Sequence, residues 1–306
     1  MWNPVRALRS TIKSTPDTVT IIPQRMNFEF RNTPRHWFDN EPVQTHLLNA
    51  LSLTFPDGER FFVDSVRHFR KQATSQKQQQ EISGFIGQEA MHSLEHDTFN
   101  KMLAATGYQE EAEGGQNLAQ KIIAGGRKRL SPKEQLAATA ALEHITAIMA
   151  QWLLSDPSVL EKIDPSVRQL WFWHAIEETE HKAVAFDLLQ QVTDGDYLTR
   201  VRVMAPATWF LMAYCFVYTG AFLKKDGLHN KPLVIAKGLW ALAKPGGLFA
   251  SVVPAWFQYF KPGFHPWDDD DSAEIAQWRA SLSAALETLQ QSSAQTATGP
   301  AGAAAA

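Results

Sequence analysis

FWHAIEETEH, residues 172–181, sets two histidines and three glutamates among apolar side chains within ten positions. His174, Glu178 and His181 are spaced by four and then three residues, which stacks their side chains on one face of a helix. Trp171, Phe172 and Trp173 lie at the start of this stretch, unlike an ordinary solvated charged face. An ionisable group on a buried face is costly unless it is paired or bound to a cation. Three such groups together call for a metal, and the rest of the chain must supply the other ligands.

A four-helix bundle can hold two ions with one Glu from each of two helices and a Glu-x-x-His pair from each of the other two. Positions i and i+3 face one core site, so a single helix offers a carboxylate and an imidazole together. The chain carries this set in order: Glu59 in GERFF, Glu89 and His92 in EAMH, Glu143 in ALEHI, Glu178 and His181 in ETEH. Phe62, Val63 and Val66 mark the Glu59 face as apolar, and Phe85, Phe99 and Leu103 do the same for Glu89 and His92. One Glu-x-x-His is a weak signal. Two, each with a Glu one helix upstream, form a strong one.

Each residue also has a plainer reading. Glu59 sits after PDG and would complement a helix dipole. Glu89 and His92 would belong to a polar helix face. Glu143, in AALEHITAIMA, has the weakest such alternative. For His174 the sequence leaves open a seventh ligand or a partner hydrogen-bonded to the ligands. His96 and His144 read as partners behind the ligands or as hydrogen-bonded core residues, and Ala140 and Ala147 as small residues that leave room for dioxygen or an apolar substrate group. Glu177 and Glu180 point off the 174/178/181 face, and read as partners for Lys or Arg or as acceptors behind the ligands.

No strand alternation or internal repeat is visible, so the expected fold is all-α. Residues 1–40, rich in Pro, Arg and Asn, read as an arm, and 41–195 as a metal-binding helical bundle. Within it, helices are expected over 42–53, 58–71, 76–105, 115–129, 131–155 and from the second DPSV to about 191, with FPDGE a turn and EEAEGGQ a loop. Ser131, Pro132 and Glu134 form a helix-start signature. Residues 196–265 form an apolar helical extension, packed on the bundle or membrane-associated; 266–293 are a C-terminal helix and 294–306 a disordered tail. Residues 203–223 are uncharged and basic-flanked. A buried or interfacial helix is preferred there to a true span, because Pro206, Thr208, Tyr214 and Tyr218 dilute it.

A net charge of −3 gives no electrostatic case for nucleic acid. The single cysteine, Cys215, excludes an internal disulfide framework and thiolate clusters. The start lacks the apolar run of a signal peptide, so a cytoplasmic location is expected, with attachment to the inner membrane face a further option.

HWFDNEPVQTHLLNALSLTFPDGERFF, GQEAMHSLEH and FWHAIEETEHKAVAFD resemble the bacterial family described as predicted metal-dependent hydrolase, over roughly residues 25–265. More widely, Glu59, Glu89, His92, Glu143, Glu178 and His181 resemble the ligands of ferritin-like di-iron carboxylate proteins. His174 is similar to the extra histidine of p-aminobenzoate N-oxygenase-type enzymes. The resemblance implies a ferritin-like bundle, an O₂-activating site and, at the family level, a homodimer.

Four carboxylates with two or three imidazoles suit iron or manganese, with zinc possible by ligand type. The preferred expectation is a di-iron oxygenase or oxidase. It would hold two iron ions, use O₂ on an apolar small-molecule or lipid-like substrate, and draw electrons from a partner reductase. A dinuclear metal-dependent hydrolase is the alternative, and a ferroxidase a further one.

Overall fold

The computed structural model describes residues 13–297, with side chains to residue 287. The protein is all-α: among the described residues no strand forms, and a single β-bridge pairs Phe38 with Ile163. The helices are α1 (Pro42–Phe69), α2 (Gln76–Leu103), α3 (Gln109–Arg129), α4 (Pro132–Ser155), α5 (Pro157–Glu161), α6 (Pro165–His181), α7 (Val184–Val192), α8 (Tyr197–Lys225), α9 (Pro232–Ala243), α10 (Leu248–Gln258) and α11 (Ser272–Ala297). Helix α1 packs on α2, α2 on α6, α6 on α4 and α4 on α1. This closed ring fits a four-helix bundle.

Helix α4 starts as expected, with the Ser131 side chain and Glu134 in a reciprocal cap and Pro132 in the first turn. Both DPSV segments also open helices, capped by Asp156 and Asp164. Three expectations are corrected. FPDGE is not a turn, because α1 runs through Pro56 without a break. Proline removes the N–H that would bond the carbonyl of Ser52, and the amide of Asn100 on α2 donates to that carbonyl instead, at 3.0 Å. EEAEGGQ is helical and belongs to α3. A Cβ at Gly115 would come within 2.6 Å of Leu53 and 2.9 Å of the Tyr214 hydroxyl, so this glycine serves close helix packing. The helix expected to reach 191 breaks after His181, where Lys182 turns its ammonium to the Asp271 carboxylate (2.6 Å) and the Asp269 carbonyl (2.8 Å).

The described part of the arm crosses α2. A Cβ at Gly84 or Gly87 would overlap Ile21 or Pro23, and Glu95 accepts from the backbone N–H groups of Asn27 (2.6 Å) and Phe28 (3.0 Å). Helix α11 extends past the expected 293 to Ala297; residues 1–12 of the arm and 298–306 of the tail lie outside the described residues.

Two apolar clusters flank the bundle interior, one built around Leu53, Phe99, Leu170 and Trp173, the other around Val66, Phe85, Leu136 and Leu188. Full burial of each such side chain contributes ~1.5–3 kcal/mol, which offsets the acids held between the clusters. Helix α8 lies against α1, α3 and α4 with one side and exposes the other. By length and composition it is a candidate membrane span, and α9 with α10, bent by 43°, passes the same test as a pair.

Candidate metal centre

The ring of helices brings the expected residues together. Helix α1 supplies Glu59, α2 Glu89 and His92, α4 Glu143, and α6 His174, Glu178 and His181, and all seven are buried. His181 Nε2 lies 3.1 Å from Glu89, 3.4 Å from Glu143 and 3.7 Å from Glu178. His92 Nδ1 is 3.6 Å and His174 Nε2 2.9 Å from Glu178 Oε1. Ligand atoms of Glu59, His92 and His174 fall within 4.8 Å of one another, as do those of Glu89, Glu143 and His181, and of Glu89, His92 and Glu178. Glu178 therefore stands between two groups of acceptors.

Both oxygens of Glu59, Glu89 and Glu143, Oε2 of Glu178, both nitrogens of His92 and Nε2 of His181 are buried with no hydrogen-bond partner. Buried polar groups nearly always have one, so these orphans, gathered in one interior, define the feature to be explained. Burial first, and then neighbouring carboxylates, push the Glu59, Glu89 and Glu143 carboxyls well above the usual range. Burial would also raise Glu178, but the neighbouring His174 and His181 imidazoles hold it well below. Burial opposes a charge on His181, yet Glu143 and Glu178 lift it to about 9. Divalent cations would satisfy the carboxylates and one nitrogen of each imidazole, so the donor set fits a metal of the iron, manganese or zinc kind.

Residues behind the acceptors fix which nitrogen is offered. Gln88 Nε2 donates to Glu180 at 2.8 Å, so its Oε1 accepts from His181 Nδ1 at 2.9 Å. His181 Nε2 is left facing the acids. The Asn100 amide is spent on the Ser52 carbonyl, so Asn100 Oδ1 accepts the Ser52 hydroxyl at 2.8 Å. The Ser52 oxygen then accepts from His96 Nδ1 (2.9 Å), and His96 Nε2 from His174 Nδ1 (2.7 Å). This chain leaves His174 Nε2 directed at Glu178. Arg279 from α11 closes the outer side, holding Glu180 at 2.6 Å and Glu177 at 3.1 Å. Glu177 also accepts from Trp173 (2.8 Å) and lies 3.2 Å from His92 Nε2.

A family model described as predicted metal-dependent hydrolase matches residues 22–270. The chain belongs to that family. No curated protein and no solved structure matches it. Membership in the metal-dependent hydrolase family indicates metal dependence and supports the hydrolase alternative better than the oxygenase expectation. Buried His and Glu groups able to hold a metal accompany it.

Within this hydrolase-family chain, the expected neighbours of the ligands divide. His96 stands one hydrogen bond behind His174, and Glu177 and Glu180 take an arginine partner as expected. His144, Ala140 and Ala147 are not beside the centre's cavities. His144 takes the core alternative, packed on Tyr259 and Phe264 with Nε2 3.2 Å from the Ala255 carbonyl. The reason is angular: Ala140, His144 and Ala147 occupy one flank of Glu143 on α4, and Leu142 and Thr146 the other. A cavity of ≈ 190 Å³ opens on the second flank, lined by Glu59, Leu142, Thr146 and otherwise almost wholly apolar side chains of α1, α3, α4 and α8. A smaller one of ≈ 50 Å³ reaches His174 and Glu178, and both share Leu51, Phe55 and Thr146. Sequence reasoning missed Gln88, Ser52, Asn100 and Arg279. Gln88, adjoining Glu89 inside a buried helix, was the one with a local signal.

Proposed function

We propose that the chain is a metal-dependent hydrolase that cleaves an ester or amide of a largely apolar acyl compound at a centre of two ions. Glu59, Glu89, His92, Glu143, His174, Glu178 and His181 would hold the ions in a ferritin-like arrangement. The observation that carries this reading is the set of orphaned, buried acceptors contributed by four helices. Bound divalent ions would supply Lewis acidity toward a water and a carbonyl, and iron would add dioxygen chemistry. The chain's own residues do the rest. Leu51, Phe55 and Leu142 seat an apolar group and exclude bulk water. Thr146 turns its hydroxyl to the Glu143 carbonyl (3.1 Å), so it adds no competing donor to the cavity. Glu59 lines the larger cavity with neither oxygen hydrogen-bonded. With one oxygen holding an ion, its other oxygen would take the proton of an attacking water and return it to the leaving group.

A second reading, oxidation of the same class of compound by a di-iron centre with a partner reductase, is favoured by the third imidazole, His174, and by the apolar cavity lining. One experiment separates the two. Metal-free protein is loaded with zinc, manganese or Fe(II) and given long-chain p-nitrophenyl esters, with and without dioxygen. Nitrophenol release that is metal-dependent and indifferent to dioxygen supports hydrolysis. Product formation that requires dioxygen and a reductant replaces it with oxidation.

A further inference from the structure

The outer side of α8, with α9 and α10, is unlike the rest of the surface. Trp209 is 71 % exposed, Phe210 57 %, Leu233 84 %, Trp240 65 % and Phe257 60 %. Helix α10 joins α8, with Phe216 meeting Phe249 at 6.1 Å and the Trp256 indole donating to Thr208 at 2.8 Å, and α9 packs on α10. Contiguous exposed apolar surface of this kind marks an interaction site. Between Tyr197 and Lys261 the chain carries eight Lys or Arg and one acid, Asp226, although its net charge is −3. Lys224, Lys225, Lys231, Lys237, Lys244 and Lys261 are all exposed. Aromatic side chains among lysines suit the interface of an anionic bilayer, where the rings sit at headgroup level and the ammonium groups meet lipid phosphates.

The same helix forms a wall of the larger cavity. Ala207, Phe210, Leu211 and Tyr214 line it, and Phe210 is also largely exposed, so the cavity opens on the outer side of α8. Its inner end reaches Glu59. At ≈ 190 Å³, against the ~10–15 Å³ one water needs, it holds a sizeable chain. The Tyr214 hydroxyl is buried in this wall without a hydrogen-bond partner.

Helix α8 does not span a bilayer in this arrangement, because both its ends are tied to the protein. The Arg200 guanidinium donates to the carbonyls of Tyr259 and Lys261, and Asp226 accepts from His36 and His46. A helix pinned at both ends and apolar on its outer side lies in the interface plane.

We infer that α8, α9 and α10 rest on an anionic lipid surface and that an acyl chain enters from it, past Phe210, to the metal centre. This names the source of the substrate and rests on the acyl-compound reading above. Both tests use the metal-free, full-length chain, so failed catalysis leaves them standing and their failure leaves the metal centre standing. In flotation, the protein should bind vesicles of phosphatidylcholine mixed with phosphatidylglycerol. Each Lys→Gln on the face should weaken binding about fivefold, and Trp209→Ser with Trp240→Ser and Phe257→Ser should abolish it with an unchanged circular dichroism spectrum. For the cavity, cis-parinaric acid should bind saturably, and Leu211→Trp should prevent it. Lack of flotation, indifference to phosphatidylglycerol, flotation of the triple variant, or fatty-acid binding that is absent or insensitive to Leu211→Trp would overturn the inference.

Discussion

Two clusters among the described residues join histidine to carboxylate with ligand atoms close enough to share an ion, and their hydrogen bonding is opposite. In the first, Asp226 at the end of α8 accepts from His36 (2.7 Å) and His46 (2.8 Å) on one oxygen, and from Arg35 (2.7 Å) and Tyr108 (2.8 Å) on the other. The Trp37 indole donates to Asn49 Oδ1 at 2.9 Å, which turns the Asn49 amide toward His46 Nδ1 at 3.3 Å. His46 Nδ1 is therefore unprotonated and Nε2–H donates to Asp226. A metal on Nε2 would need the reverse tautomer, and the Arg35 guanidinium would repel it. The cluster is a clamp that ties the arm and α1 to α8. In the second cluster, Glu59, Glu89, Glu143, His92 and His181 point into one interior and leave acceptors unmet. Residue type and proximity are alike in the two; the presence or absence of donors separates fastening from function.

The contrast predicts which changes act where. The largest effect is ligand addition. A metal at a thousand times its Kd should raise wild-type stability by ~4 kcal/mol. It should do nothing for a Glu89→Gln/Glu143→Gln variant, as calorimetry with and without chelator would show. Next, Asp226→Ala leaves Arg35 and two imidazoles without their acceptor and should cost ~3 kcal/mol. The midpoint of urea unfolding would fall while metal content stays at the wild-type level. A smaller effect belongs to Gln88→Ala, which frees the His181 ring and should weaken metal binding ~10–100-fold without changing the number of ions bound; competition with a chromogenic chelator reads it.

The smallest effect is that of acid. Burial would raise the Asp226 carboxyl, but hydrogen bonds from His46, His36 and Tyr108 hold it well below its ordinary 3.8. Its contribution is therefore present above that value and lost as pH falls below it. Burial lowers His46 from 6.5, so the unfolded chain takes that proton first and falling pH again favours unfolding. Between about pH 5 and 3 the two together should remove roughly 1 kcal/mol, a slope that Asp226→Ala should flatten.

The acids and imidazoles of the centre were legible because i, i+3 and i, i+4 spacing is a property of one helix, and each lay in apolar company. Helix α4 was legible from Ser131, Pro132 and Glu134 for the same local reason. Continuity of α1 through Pro56 was not, since the donor that replaces the missing N–H is Asn100, on another helix. EEAEGGQ read as a loop because glycine favours turns, whereas Gly115 is used for approach to Leu53 and Tyr214. Arg279, on α11 and 99 residues from Glu180 on α6, carries no local signal. The flank of Glu143 that opens on the cavity could not be read either, since Ala140 and Ala147 have the same spacing from it as Thr139 and Thr146.

The central claim is that the orphaned acceptors hold metal and the clamp does not. Its most direct test is metal content after equilibrium dialysis of wild type, Glu89→Gln/Glu143→Gln and Asp226→Asn. The prediction is about two ions per chain in wild type, none in the double glutamine variant and an unchanged number in Asp226→Asn. Absence of metal from wild type, or loss of metal in Asp226→Asn with retention in the double variant, would contradict it.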